Sequence, residues 1–263
     1  MLKLFPSYWL LPYGGGAVLL FIAVRKVMDG APLWLAALLL ILGCALLLVL
    51  AEAAAFAAHQ RKLSWLYQNL APERFLKVYE KLLPRSKKNP AREVTVRAHL
   101  ANAYLALGNF EKAIELLNDA PAVSGEGKDD SEVLLLNNKA TVYLYWEQQD
   151  QAKGCIDQLH ELLIKPGNEQ LKERFTESER ILRDHYEALT GVCKDDAYLR
   201  ELNRNSTTEL FRVNTSMLLA RVYLSQKETE MAASYLEQLA EKGTDWMWAS
   251  IRAKEMLQKI NKK

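Results

Sequence analysis

Four histidines, three cysteines and several clusters of acids are the residues of this chain that could do chemistry, and their spacing argues against catalysis. His59, His99, His160 and His185 stand in no HExxH pattern and beside no cysteine at ligand spacing. Cys44, Cys155 and Cys193 form no CxxC pair, and so sparse and odd a count suits a reducing compartment. Gly14-Gly15-Gly16 lacks the Lys-Ser/Thr of a phosphate loop and lies in an apolar run, and no GxSxG occurs. The acidic stretches 126–132 and 177–184 read as solvated faces of helices or turns. No catalytic residue, cofactor site or metal ligand set is therefore expected, and what remains is surface for binding.

The elements that must present that surface begin with a segment almost devoid of charge. Residues 5–24 and 31–51 are uncharged runs of 20 and 21 residues, joined by the polar stretch RKVMDG. A helix needs ~20 apolar residues to cross a hydrocarbon core, so the expectation is a transmembrane hairpin over residues 1–60, with spans of about 5–24 and 31–55. A cleavable signal peptide fits poorly: Lys3 is the one basic residue of the n-region, and no small-x-small site precedes Arg25. Trp9 and Trp34 suit interfacial anchors. Lys3, Arg61, Lys62, Arg74 and Lys77 outnumber Arg25 and Lys26 of the turn, which places both termini in the cytoplasm. Alanine-leucine-rich spans without a eukaryotic targeting signal point to a bacterial cell membrane.

Residues 61–263 form a second, amphipathic region that carries 31 basic and 30 acidic groups. Near-neutrality of this kind is unlike a nucleic-acid binder, which shows a basic excess. Apolar residues recur at helical spacing, as in Leu100, Tyr104 and Leu107, and no period-two run is found. Prolines and glycines at 72, 84, 90, 108, 121, 125, 127, 166–167, 191 and 243 divide the region into helices of roughly 12–24 residues.

Those helices repeat. Ala101, Tyr104, Ala113 and Leu117 correspond to Ala140, Tyr143, Ala152 and Ile156, and again to Ala220, Tyr223, Ala232 and Leu236. The small second-helix residue recurs at 113, 152 and 232, intervals of one and two periods of about 40, and Phe75 precedes Ala113 by 38. Paired alanines let antiparallel helices approach closely, the tyrosine fills the crevice, and Gly108 supplies the left-handed turn. One such hairpin cannot bury its apolar face, so the copies must stack.

The run L-A-x-x-Y-x-x-x-G-N-F-x-x-A-x-x-x-L-x-x-A from Leu100 to Ala120 resembles a tetratricopeptide repeat (TPR). The copies at 138–162 and 216–242 are looser, with Glu147-Gln148 and Lys227-Glu228 where the first has Gly108-Asn109. Residues 168–204 should hold one more repeat, hinted at by Tyr186, Leu189 and Leu202, and 244–260 resembles a capping helix. With the hairpin read from the uncharged runs, the resemblance implies an all-α fold: a two-helix transmembrane hairpin followed by a TPR-like α-solenoid of antiparallel helix pairs. It also implies a concave groove lined by the first helix of each hairpin. The positions carried over are Asn102, Leu105 and Ala106, then Asn137, Thr141, Leu144 and Tyr145, then Asn214, Met217, Arg221 and Leu224. Asn102 and Asn138 match two asparagines of the carboxylate clamp of chaperone-binding members. Ala98, Asn214 and Leu218 stand where its basic residues belong, so a clamp is not expected.

The function implied is a membrane-tethered scaffold that binds a peptide or partner helix, with a protein and the lipid bilayer as partners and neither nucleic acid nor a small-molecule substrate. The alternative is a structural subunit of a membrane complex that assembles through its hairpin, where Gly14 to Gly16, Gly43 and nearby alanines permit close helix contacts.

Overall fold

A computed structural model describes residues 8, 10–125, 127–191, 193, 196–242 and 247–261. Lys3, Trp9, Glu126, Gly243 and Trp246, each used in the sequence reading, lie outside them. The described residues are helical, without strands, and the chain divides into two compact units, Met1–Ser64 and Trp65–Lys263.

The first unit holds α1 (Leu10–Met28) and most of α2 (Leu33–Tyr67). α1 runs through Arg25 and Lys26, which the sequence reading placed in the turn, so the connection shrinks to residues 29–32, with Gly30 at φ 94°. α2 also outruns its expected end near residue 55. At 1.5 Å per residue its 35 residues span about 52 Å, well beyond a hydrocarbon core of about 30 Å. The two helices are antiparallel and meet through glycine: a methyl group at Gly15 would lie 2.7 Å from Leu47 Cδ1, and one at Gly43 would lie 2.6 Å from Leu19 Cδ1. Gly15 and Gly43 are thus used inside the hairpin, whereas Gly14 has no atom within 4 Å of a side chain placed there and Ala37 is exposed. Large apolar side chains such as Phe21, Ile41 and Val49 are exposed along both helices, the reverse of a soluble core helix. Both helices are long and apolar enough to cross a membrane.

The second unit opens with two short helices, α3 (Pro72–Tyr79) and α4 (Leu83–Ser86). It continues with α5 (Pro90–Ala106), α6 (Phe110–Asn118), α7 (Lys128–Tyr145), α8 (Gln149–Leu163), α9 (Glu169–Thr190), α10 (Asp196–Arg204), α11 (Glu209–Ser225), α12 (Thr229–Lys242) and α13 (Trp248–Ile260). The breakers act where the sequence puts them. Pro72 and Pro90 occupy first turns, where a missing N–H is harmless, and Gly191 ends α9 at φ 80°.

Hairpins α5–α6, α7–α8 and α11–α12 are the three copies read from the sequence, and their small and aliphatic anchors (Ala101, Ala113, Leu117 and equivalents) are all buried. Their turns are superimposable in bonding. Asn109 N donates to Tyr104 O, Gln148 N to Tyr143 O and Glu228 N to Tyr223 O, at 2.8–2.9 Å. Each turn needs one left-handed residue: Gly108 at φ 75°, Glu147 at 61° and Lys227 at 65°. The glycine missing from two copies changed the residue without changing the turn.

α9 and α10 take the remaining repeat's place. α9 packs against α7 on one side and α11 on the other, as an inner helix must, and α10 packs on α11. The inner helices are therefore α5, α7, α9, α11 and α13 in succession. The array then turns back on itself. α13 reaches α5, where Trp248 covers Gly108 and meets the Phe110 ring edge-on at 5.7 Å. Arg252 pairs with Glu147 at 2.8 Å.

Candidate partner-binding cavity

The five inner helices and the end of α2 line an open-mouthed cavity of about 540 Å³. α5 contributes Asn102, Leu105 and Ala106; α7 contributes Asn137, Asn138, Thr141 and Tyr145; α11 contributes Asn214 with Leu210 and Phe211. α9 adds Ile181, Leu182, His185 and the exposed Glu177, and α13 adds Trp248.

Six of the eight residues singled out as groove candidates thus share one cavity: Asn102, Leu105, Asn137, Thr141, Tyr145 and Asn214. Met217 and Arg221 do not line it. Met217 is fully buried, one turn further round α11, and Arg221 lies behind the cavity wall. Leu144 is buried in the α7–α8 core rather than facing the cavity.

Apart from Glu177 the polar lining is neutral, and it is only partly engaged. Asn102 Nδ2 donates to the Tyr67 hydroxyl at 3.3 Å, and Asn138 Nδ2 donates to Leu134 O at 2.7 Å in its own helix. The Thr141 hydroxyl likewise bonds back to Asn137 O at 2.8 Å. The side-chain amides of Asn137 and Asn214 have no partner among the described residues. Glu177, the one formally charged residue of the lining, hydrogen-bonds Tyr198.

Behind the cavity lies a buried network. The Arg221 guanidinium donates to His185 Nε2 at 2.8 Å, to Leu144 O at 3.2 Å and to the Glu147 carboxylate at 3.2 Å. An arginine can only donate, so Nε2 of His185 is the acceptor and the ring keeps its proton on Nδ1. Burial, then the nearby Arg221 charge, hold the His185 pKa well below its ordinary value. Tyr145 lies edge-on to His185 at 4.9 Å and to Trp248 at 5.3 Å, and its hydroxyl donates to Asn214 O at 3.1 Å. Burial pushes its phenol pKa up. Tyr145 is therefore a strut across the cavity wall, as much core as surface.

His185 is the participant that motif reading missed. Its signal was periodicity, since Leu182, Ala188 and Leu189 put it on the apolar face of α9. A second grouping escaped the same way. Asp184 and Glu187, one turn apart on α9, bring their oxygens with Cys193 Sγ within 4.8 Å of one another, a spacing that matches no metal motif.

Compared with known proteins, the chain matches tetratricopeptide repeat family models over residues 94–120 and 215–245. These are the α5–α6 and α11–α12 hairpins. No solved structure matches the chain.

Proposed function

We propose that this TPR-like chain is a membrane-tethered scaffold whose inner helices receive a peptide or helix of a partner protein. Tetratricopeptide repeats are protein-interaction modules, and members of the family are typically scaffolds without catalytic activity of their own. One observation carries the reading to a site: residues from three separate repeats, Asn102, Asn137, Thr141 and Asn214, meet at one cavity with amide groups to spare. The apolar, outward-facing hairpin supports the tether. It would raise the partner's effective concentration at the membrane. The excess of lysine and arginine flanking the outer ends of the two spans, over Arg25 and Lys26 between them, supports a cytoplasmic repeat unit.

Photo-crosslinking in intact membranes tests the binding site. A benzoylphenylalanine at Asn137 should yield one discrete adduct, absent when the probe stands at exposed Lys153 on α8. Equal labelling from both positions would refute the cavity as the docking site. Protease protection of a C-terminal epitope in sealed right-side-out vesicles tests orientation: protection is expected, and digestion would place the repeats outside.

A further inference from the structure

The cavity described above is built to select on charge, an inference that rests on the peptide-binding reading and sharpens it. His185 is 4 % exposed, and its Nε2 is occupied by Arg221. Its Nδ1–H makes no hydrogen bond among the described residues, and the ring lines the cavity. Among the described residues His185 Nδ1 is not one of the sealed side-chain atoms that lack a hydrogen bond, so its N–H opens on the cavity, where a ligand can supply its acceptor. Asn137 and Asn214 offer further amide donors and acceptors, and Leu105, Phe211 and Trp248 form an apolar wall.

Among the described residues no lysine or arginine lines the space. The Arg221 guanidinium is spent on Leu144 O, His185 and Glu147. A carboxylate entering here would be desolvated without a counter-charge and with Glu177 at the rim, a strongly unfavourable state. A peptide carbonyl, in contrast, needs only a neutral donor. Asparagine side chains carry the same donor–acceptor pair as a peptide unit and can match it two-for-two. The volume falls within the range of about 300–1,000 Å³ that buries a compact ligand.

We infer that the cavity takes an uncharged segment of extended polypeptide, seating an apolar side chain against Leu105, Phe211 and Trp248 and a backbone carbonyl on His185 Nδ1–H, and that it excludes carboxylates. His185 is thus a specificity-determining residue.

The test exposes the full-length protein in detergent micelles to a random octapeptide library capped by acetyl and amide groups. Retained peptides are sequenced, and the strongest is then titrated. Three variants are run beside the wild type, each below its melting transition. Thr141→Trp fills the cavity and breaks only a bond within its own helix. His185→Phe keeps the aromatic contact with Tyr145 and removes the donor. His185→Gln restores both a donor and an acceptor.

Uncharged peptides should be enriched over Thr141→Trp. The best of them should bind about tenfold more weakly or worse to His185→Phe, as expected for a lost bond to a buried group, and recover most of that loss with His185→Gln. Enrichment of acidic peptides that bind His185→Phe as tightly as wild type would overturn the charge selection and leave peptide binding standing. No enrichment above Thr141→Trp would overturn both.

Discussion

His185 shows how one side chain's bonding fixes its response to pH. Its folded pKa is depressed, first by burial and then by Arg221. In the unfolded chain the ring titrates near about 6.5. Above that value both states are neutral. Below it the unfolded chain takes up a proton that the folded chain refuses, so stability falls with acidification, by up to about 1.4 kcal/mol per pH unit from this residue. Urea midpoints measured at pH 7.5, 6.5 and 5.5 should drop more steeply between the last two for wild type than for His185→Gln; parallel slopes would mean that the ring is not held neutral. Lys227 and Glu147 make a second pair of residue-scale contrasts. Both adopt positive φ, a region unfavourable to a residue with a Cβ. Lys227 is exposed, so Lys227→Gly should raise stability by about 1 kcal/mol. Glu147→Gly should lower it, because the carboxylate pairs with Arg221 and Arg252. Thermal melts of the two variants should move in opposite directions. The sequence marks both turns as lacking glycine, but nothing in it says that residue 147 is bonded to residues 221 and 252, because such a pairing appears only when the array bends back.

At the scale of elements, the repeat is legible because its physics is local. Ala101 against Ala113, a tyrosine in the crevice and a left-handed turn need only some twenty contiguous residues. Ala113 is fully buried between α5 and α6, and Ala113→Trp should overpack the hairpin and destabilise the repeat unit by about 3 kcal/mol. A melting temperature unchanged from wild type would contradict close pairing there. α9 and α10 show where local reading fails. Their place between α7 and α11 is set by tertiary contacts, and α9 fills it with 22 residues and no alanine–tyrosine signature. α2 fails it differently. Alanines and good helix formers beyond Glu52 carry the helix on to Tyr67 although the apolar run stops, so the end of hydropathy is not the end of the helix. The cavity was half legible. Register along α5, α7 and α11 points Asn102, Asn137, Thr141 and Asn214 inward, whereas Met217 turns into the core and Arg221, two turns beyond Asn214, is drawn into the buried network. The α9 and α13 walls, supplied by segments with weak or no repeat pattern, stayed hidden.

At the scale of the repeat unit, closure governs behaviour. A linear array is held by neighbour-to-neighbour interfaces and can unravel from an end. Here Trp248 ties α13 to the α5–α6 turn and to Tyr145, and Tyr145 in turn holds α11 through Asn214 O. Trp248→Ala should cost about 2–4 kcal/mol. It should also broaden the unfolding transition of α5–α13, seen by circular dichroism, by releasing the last helices from the first. A transition as sharp as wild type at a lower midpoint would show that α13 stabilises only its neighbour α12. Tyr145→Ala, which a reading of the sequence alone would call a surface change, should also lower the midpoint, because the ring is buried against His185 and Trp248.

The meeting of Trp248 with Gly108 also sets a rule for how such a chain can change over generations. Open solenoids grow and shrink by whole repeats, since an extra unit only lengthens the stack. In this array the last helix must land on the first hairpin, and each added pair of helices would rotate that landing point away. A duplication of 138–176 should therefore fail to reseal, leaving Trp248 exposed and Gly108 uncovered. The number of repeats is held by geometry, and diversity is left to the side chains that face the cavity.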